Sequence, residues 1–196
     1  MKKTDFAALD GTAEEVARLK EIYANYNEMP YVSPARNLAK WLDQVELSSG
    51  QTVPKRNMVR LEEDLLAGHL IILWRVRFGT YDNTTTISKY FEYDYGIDAK
   101  SDIEMLIERG LVAVMTAKES LTYLTAPQLK KWLKDKNIAG FSKLKKHELI
   151  EAVREAYSEE ELAEKFSLRG YTLTEAGERV LANHDDVIDK HPKKKY

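Results

Sequence analysis

Apolar residues recur along this chain mostly at helical spacing, in short stretches separated by polar breaks. Over residues 12–28, Val16, Leu19, Ile22, Tyr23 and Tyr26 fall on one face of a helix. Thr12 with Glu15 three residues on makes a capping box at its start, and Pro30 ends it. Ser33-Pro34 opens a second helix that turns Leu38, Trp41, Leu42 and Val45 inward, and Ser48-Ser49-Gly50 reads as a loop. A third helix is expected from Pro54, carrying Met58, Leu61, Leu65 and Leu66 and stopping at Gly68. Arg56 and Arg60 share its face with Glu63 and Asp64, a spacing that suits surface ion pairs.

The run 69–78, HLIILWRVRF, fits two periods. As a strand it puts Leu70, Ile72, Trp74, Val76 and Phe78 on one side; as a helix it groups Leu70, Ile71, Trp74 and Phe78. The order of the surrounding elements favours helix. Tyr81 to Thr85 reads as a polar loop, 86–94 as a helix, and Ser101 with Glu104 as the capped start of another that ends at Gly110. LVAVM and SLTYL then read as two β-rich runs around a turn at Thr116 to Glu119. Three helices followed by a hairpin is the element order of a winged helix, with the helix at 101–109 in the recognition position. That segment is acidic, with Asp98, Asp102, Glu104 and Glu108 against Lys100 and Arg109, so it suits a scaffold better than a phosphate-facing helix. Tyr90, Phe91, Tyr93 and Tyr95 read as half-buried packing, with base stacking as the rarer use of such a cluster.

The most informative stretch is 124–157. Thr125 and Gln128 make a capping box, Pro127 falls in the first turn, and Leu129, Trp132 and Leu133 form an apolar face. Asn137 and Gly140 stop this helix; Ile138, Phe141 and Leu144 are apolar within the turn; Leu149, Ile150 and Val153 line a second helix. Lys130, Lys131, Lys134 and Lys136 cover the first helix, and Lys143, Lys145 and Lys146 gather at the start of the second. A helix N-terminus carries free N–H groups and partial positive charge, and lysines there add to it, so an anion such as phosphate would offset the cost.

The run Ile138 to Ile150, IAGFSKLKKHELI, resembles the helix–extended loop–helix module at the N-terminus of the transcription terminator Rho, and is similar to the SAP motif of the same architecture. The resemblance covers about 34 residues, those from 124 to 157. The turn is about two residues longer than the SAP pattern and Leu144 stands where SAP motifs have glycine, which favours the Rho-like version. What the resemblance implies is DNA or RNA binding, with phosphate contacts from Lys143, Lys145 and Lys146 and from the backbone around Gly140 and Ser142.

Charge sharpens that picture. The formal net charge of the 196 residues is −2, so this is no globally cationic packaging protein. Residues 124–157 nonetheless hold eight basic and four acidic residues, a net of +4; residues 1–123 carry −4 and residues 158–196 carry −2. Cysteine is absent, which removes thiol chemistry and suits a reducing cytoplasm. MKKTDFAALDG has no apolar h-region of a signal peptide, and the apolar run at Leu70 to Trp74 is too short to span a membrane.

C-terminal to the module, Ser158 and Glu161 make another capping box over Leu162 and Phe166. Gly170 to Thr174 reads as a strand leading into the helix EAGERVLANH, and Tyr171 to Leu173 is placed to pair with the hairpin at 111–124. YLTAPQLKKWL and YTLTEAGERVL echo each other too briefly to be a solenoid repeat. The tail, with Lys193, Lys194 and Lys195, is expected to be mobile.

Catalytic patterns are weak by comparison. There is no phosphate-cradling glycine loop. His184, Asp185, Asp186 and His191 are a poor metal set, and Asp94, Gly96, Asp98 and Asp102 miss the EF-hand spacing. The expectation is therefore a mostly α protein with a small β component, without catalytic residues, metal or cofactor. Its expected parts are a helical region at 1–68, a winged-helix-like unit at 69–123, the lysine module at 124–157, a helix-strand-helix segment at 158–190 packing back on that unit, and a basic tail at 191–196. Its expected partner is nucleic acid, DNA or RNA. The alternative is a protein-interaction or assembly subunit, as in a phage or mobile element, with Trp132 or Tyr90 to Tyr95 in the contact.

Overall fold

The computed structural model describes residues 3–47 and 51–192; the loop Ser48-Ser49-Gly50 and the lysines at 193–195 lie outside them. In chain order the first elements are α1 (Ala13–Ile22), α2 (Leu38–Glu46), α3 (Ala67–Arg77), α4 (Tyr90–Tyr93) and α5 (Ala99–Glu108). There follow β1 (Val112–Val114), α6 (Ala117–Ser120), α7 (Ala126–Asp135) and α8 (Lys146–Ala156). The chain closes with α9 (Glu159–Lys165), β2 (Tyr171–Leu173), α10 (Glu175–Ala182) and α11 (Asp185–Asp189). Helix makes up about 53% of the structure, against one two-stranded antiparallel sheet of β1 and β2 among the described residues, which places it in the mostly α, α+β class. Among the described residues no helix is long and apolar enough to cross a membrane.

The chain forms two compact units. One comprises Met1–Trp74, Thr86–Val112 and Leu173–Tyr196; the other comprises Arg75–Thr85 and Ala113–Thr172.

In the first unit α1 starts as its capping box dictates: the Glu15 N–H donates to the Thr12 hydroxyl, and the Thr12 N–H to the Glu15 carboxylate at 2.7 Å. The second helix begins later than Ser33-Pro34 suggests. Asn37 caps it, accepting from the Lys40 N–H at 2.8 Å, while the Ser33 N–H donates instead to Glu92. The expected helix from Pro54 to Gly68 does not form. Only Lys55–Met58 coils, as a 3-10 turn, and Asp64 takes a left-handed φ of 57°. Local bonds account for this. The Leu61 N–H donates to the Leu65 carbonyl, and the Arg60 guanidinium holds both the carbonyl and the carboxylate of Asp64. Met58, Leu65 and Leu66 still reach the core, so their spacing recorded burial rather than helix.

The helical reading of 69–78 holds, and the ambiguity has a physical cause. Leu70, Ile71, Ile72 and Leu73 are all fully buried, so this turn of α3 is apolar around its whole circumference and carries no amphipathic period. The expected helix at 86–94 shrinks to the single turn α4, and the N-cap position of α5 is Asp98, three residues before Ser101, with the helix ending beside Gly110 at φ 68°. Of the tyrosine cluster, Phe91 and Tyr95 are buried. Burial pushes the Tyr95 phenol up to about 12, and its hydroxyl is hydrogen-bonded with His191 Nδ1 at 2.7 Å. The Tyr93 ring lies 4.1 Å from the buried Arg36 guanidinium. These aromatics are packing.

In the second unit the expected hairpin is replaced. The first run forms β1, but SLTYL is helical, split between α6 and a 3-10 turn at Leu121–Tyr123. Thr116 and Glu119, placed by the sequence in a turn, are in fact the capping box of α6. The strand that pairs with β1 is β2, as the Tyr171–Leu173 reading anticipated. Ser158 caps α9 through Glu161, also as expected.

Candidate nucleic-acid interface

The second unit's core is a single cluster in which Leu121, Leu129, Leu133, Leu149, Val153 and Leu162 have no exposed surface. α7 and α8 supply half of its buried residues, each from one face, which leaves their lysines outside. At the start of α7 the Thr125 N–H donates to the Gln128 side-chain oxygen at 2.9 Å. The connection to α8 needs two left-handed residues, Asn137 at φ 56° and Gly140 at φ 85°. A Cβ on Gly140 would meet nothing within 4 Å, so the demand there is conformational, not steric. Phe141 and Leu144 then fold under the turn onto the core, and the Tyr157 hydroxyl donates to the Trp132 carbonyl at 2.8 Å, tying the end of α8 to α7.

The lysines separate into two groups. Lys130, Lys136 and Lys146 are engaged. Lys130 Nζ donates to the Ser142 carbonyl at 2.7 Å, and Lys146 Nζ to the Thr122 carbonyl at 2.7 Å. Lys136 pairs with Glu161 and lies 4.6 Å from the Tyr157 ring centre. The pairing holds the Glu161 carboxyl below its ordinary value, through the Lys136 hydrogen bond first and the Ser158 backbone second. Lys131, Lys134, Lys143 and Lys145 are exposed, and their ammonium groups bind nothing among the described residues.

The start of α8 differs from five other helix starts in the chain. Thr12, Asn37, Thr116, Ser158 and Thr174 each present a side-chain acceptor to the first turn of the helix they cap. Lys145 stands at that position in α8, and an ammonium group has no lone pair to offer. Glu148 accepts the Lys145 N–H at 2.6 Å, which is half of a capping box; the other half is missing. The N–H groups of α8's first turn therefore face solvent, with Lys143 and Lys145 beside them and Ser142 and Gly140 in the preceding turn.

His147 also lies exposed in that first turn. It is the residue the sequence reading passed over, although it continues the KLKK run. Lys165 was missed too. It pairs with Asp135 at 3.5 Å and sits 5.5 Å from the Trp132 ring, on a flank where acidic residues already balance the charge.

The remaining sequence candidates go elsewhere. His184 Nε2 bonds Glu63 at 2.6 Å and His191 bonds Tyr95, so the two histidines are not brought to a common centre. Arg60 pairs with both Asp64 and Glu28.

No family model, curated protein or solved structure matches the chain.

Proposed function

We propose that the second unit is a non-catalytic nucleic-acid-binding module that grips the phosphate backbone at the start of α8. The observation that carries this reading is the incompletely capped N-terminus of an 11-residue helix, flanked by the unpaired Lys143 and Lys145. A phosphate there accepts from backbone N–H groups, meets the positive end of the helix dipole and is neutralised by the two lysines. Lys131 and Lys134 add long-range attraction from α7. Lys130, Lys136 and Lys146 contribute charge, but their geometry serves the fold first. Backbone contacts of this kind bind DNA or RNA with little sequence preference.

The test is fluorescence anisotropy of labelled single-stranded RNA, single-stranded DNA and duplex DNA across a salt series. The variant is Lys143→Ala/Lys145→Ala, which leaves the three structural lysines in place. Wild type should bind with strong salt dependence. The variant should bind more weakly and lose about 0.9 of log–log slope per lysine on duplex, or about 0.7 on single strands. Absence of binding by folded wild type at low salt sinks the proposal and turns attention to a protein partner, for which the exposed Ile138 at the tip of the turn is the first surface to mutate.

A further inference from the structure

The first unit contains a cleft of about 760 Å³ that the proposal above does not use. Its walls are apolar, from Phe6, Met29 and Met105, and His69 forms part of its floor. The charge lies in Lys3, Arg60 and Arg109, against Glu28 and Asp64.

The two acids are already committed. Both oxygens of Glu28 accept from the Arg60 guanidinium, and Asp64 Oδ1 accepts from it as well. Arg109 has no carboxylate partner among the described residues; it donates only to backbone, to the Glu63 carbonyl at 2.5 Å and the Asp64 carbonyl at 3.4 Å. Arg60 donates to that same Asp64 carbonyl at 2.7 Å, so two guanidinium groups converge on one oxygen. Asp64 holds this position with a left-handed backbone, a conformation that costs a non-glycine residue energy and recurs at ligand clamps. Three cations against two carboxylates, both held by Arg60, leave a net of +1 beside an apolar cleft, which favours an anion with an apolar body.

His69 shows what kind of site this is. Its Nδ1 accepts the Leu66 N–H at 3.0 Å, which leaves the proton on Nε2, 3.3 Å from the fully buried Asp102 carboxylate. Both ring nitrogens are used within the fold, so the floor offers recognition and no free base.

We infer that this cleft binds a small amphipathic carboxylate, its head on Arg109 and Lys3 and its chain along Phe6, Met29 and Met105.

Octanoate is the probe, titrated into protein carrying ¹³C-methyl methionine. The methyl signals of Met29 and Met105 should shift, while Met58, buried outside the cleft, and Met115, in the other unit, stay put. Arg109→Gln should weaken octanoate about tenfold, the loss of one charge-assisted contact. Met105→Trp should block it by filling the cleft. Three results overturn the inference: no methyl shift up to millimolar octanoate, octanol binding as tightly as octanoate, or unchanged affinity in Arg109→Gln. Unchanged spectra outside the cleft in each variant establish that the fold is intact.

Discussion

Lys130 and Ser142 are joined across the turn of the second unit: the ammonium group on α7 donates to the carbonyl just before α8, at 2.7 Å. A lysine that reads in sequence as part of a cationic surface thus braces the loop that positions Lys143 and Lys145. Lys130→Met keeps the apolar stem and removes the donor. It should cost about 1 kcal/mol in urea unfolding, the usual net worth of such a bond. Hydrogen exchange at Lys143 and Leu144 should speed up, and nucleic-acid affinity should fall less than in Lys143→Ala/Lys145→Ala. Stability equal to wild type, with affinity lost as completely as in that double variant, would instead make Lys130 a direct contact.

The N-cap of α8 sets stability against binding. Lys145→Ser supplies the missing hydroxyl and completes the box with Glu148, as Ser158 and Glu161 do at α9. The variant should be more stable by about 1 kcal/mol, since a serine cap exceeds a residue without an acceptor by that amount. It should also bind nucleic acid more weakly, because it removes one cation and gives one first-turn N–H an internal partner. Calorimetric melting and anisotropy on the same sample decide it. A stabilised variant with undiminished affinity would show that the phosphate does not sit at this helix start.

Much of this architecture was legible because its signals are local. Thr12 with Glu15, Thr125 with Gln128 and Ser158 with Glu161 each specify a helix start within four residues, and each forms one. The failures involve partners distant in sequence. Met58, Leu65 and Leu66 have helical spacing, yet the chain between them is shaped by the Arg60–Asp64 bonds and by the Asn57 amide, which donates to the Asp94 carbonyl. SLTYL has strand composition, yet the Thr116 cap winds it into helix and leaves β1 to pair with a segment nearly sixty residues on. At the lysine site the residue types were visible but their division of labour was not. Lys130 and Lys146 bond to carbonyl oxygens, which leave no trace in a sequence. The cleft in the first unit was invisible for the same reason: Arg109 was read as part of an acidic helix, and only the fold brings it to Asp64.

The pair of Glu63 and His184 gives the first unit a pH dependence whose sign can be worked out. Burial alone would raise the Glu63 carboxyl, but the hydrogen bond from His184 and one from its own backbone outweigh burial and set it below its ordinary 4.5. A carboxylate whose folded value lies below its unfolded value is protonated more readily in the unfolded chain. Stability therefore rises with pH through that interval, is complete above about 4.5, and is lost as pH falls through the folded value. Glu63→Gln removes the titrating group while keeping an acceptor for His184 Nε2. The variant should be less stable than wild type near neutral pH, and the gap should close as pH falls below about 4.5. Urea midpoints measured across that range test it. A gap that stays constant would mean that Glu63 acts through shape alone, and a gap that widens toward acid would contradict the sign derived from the His184 contact.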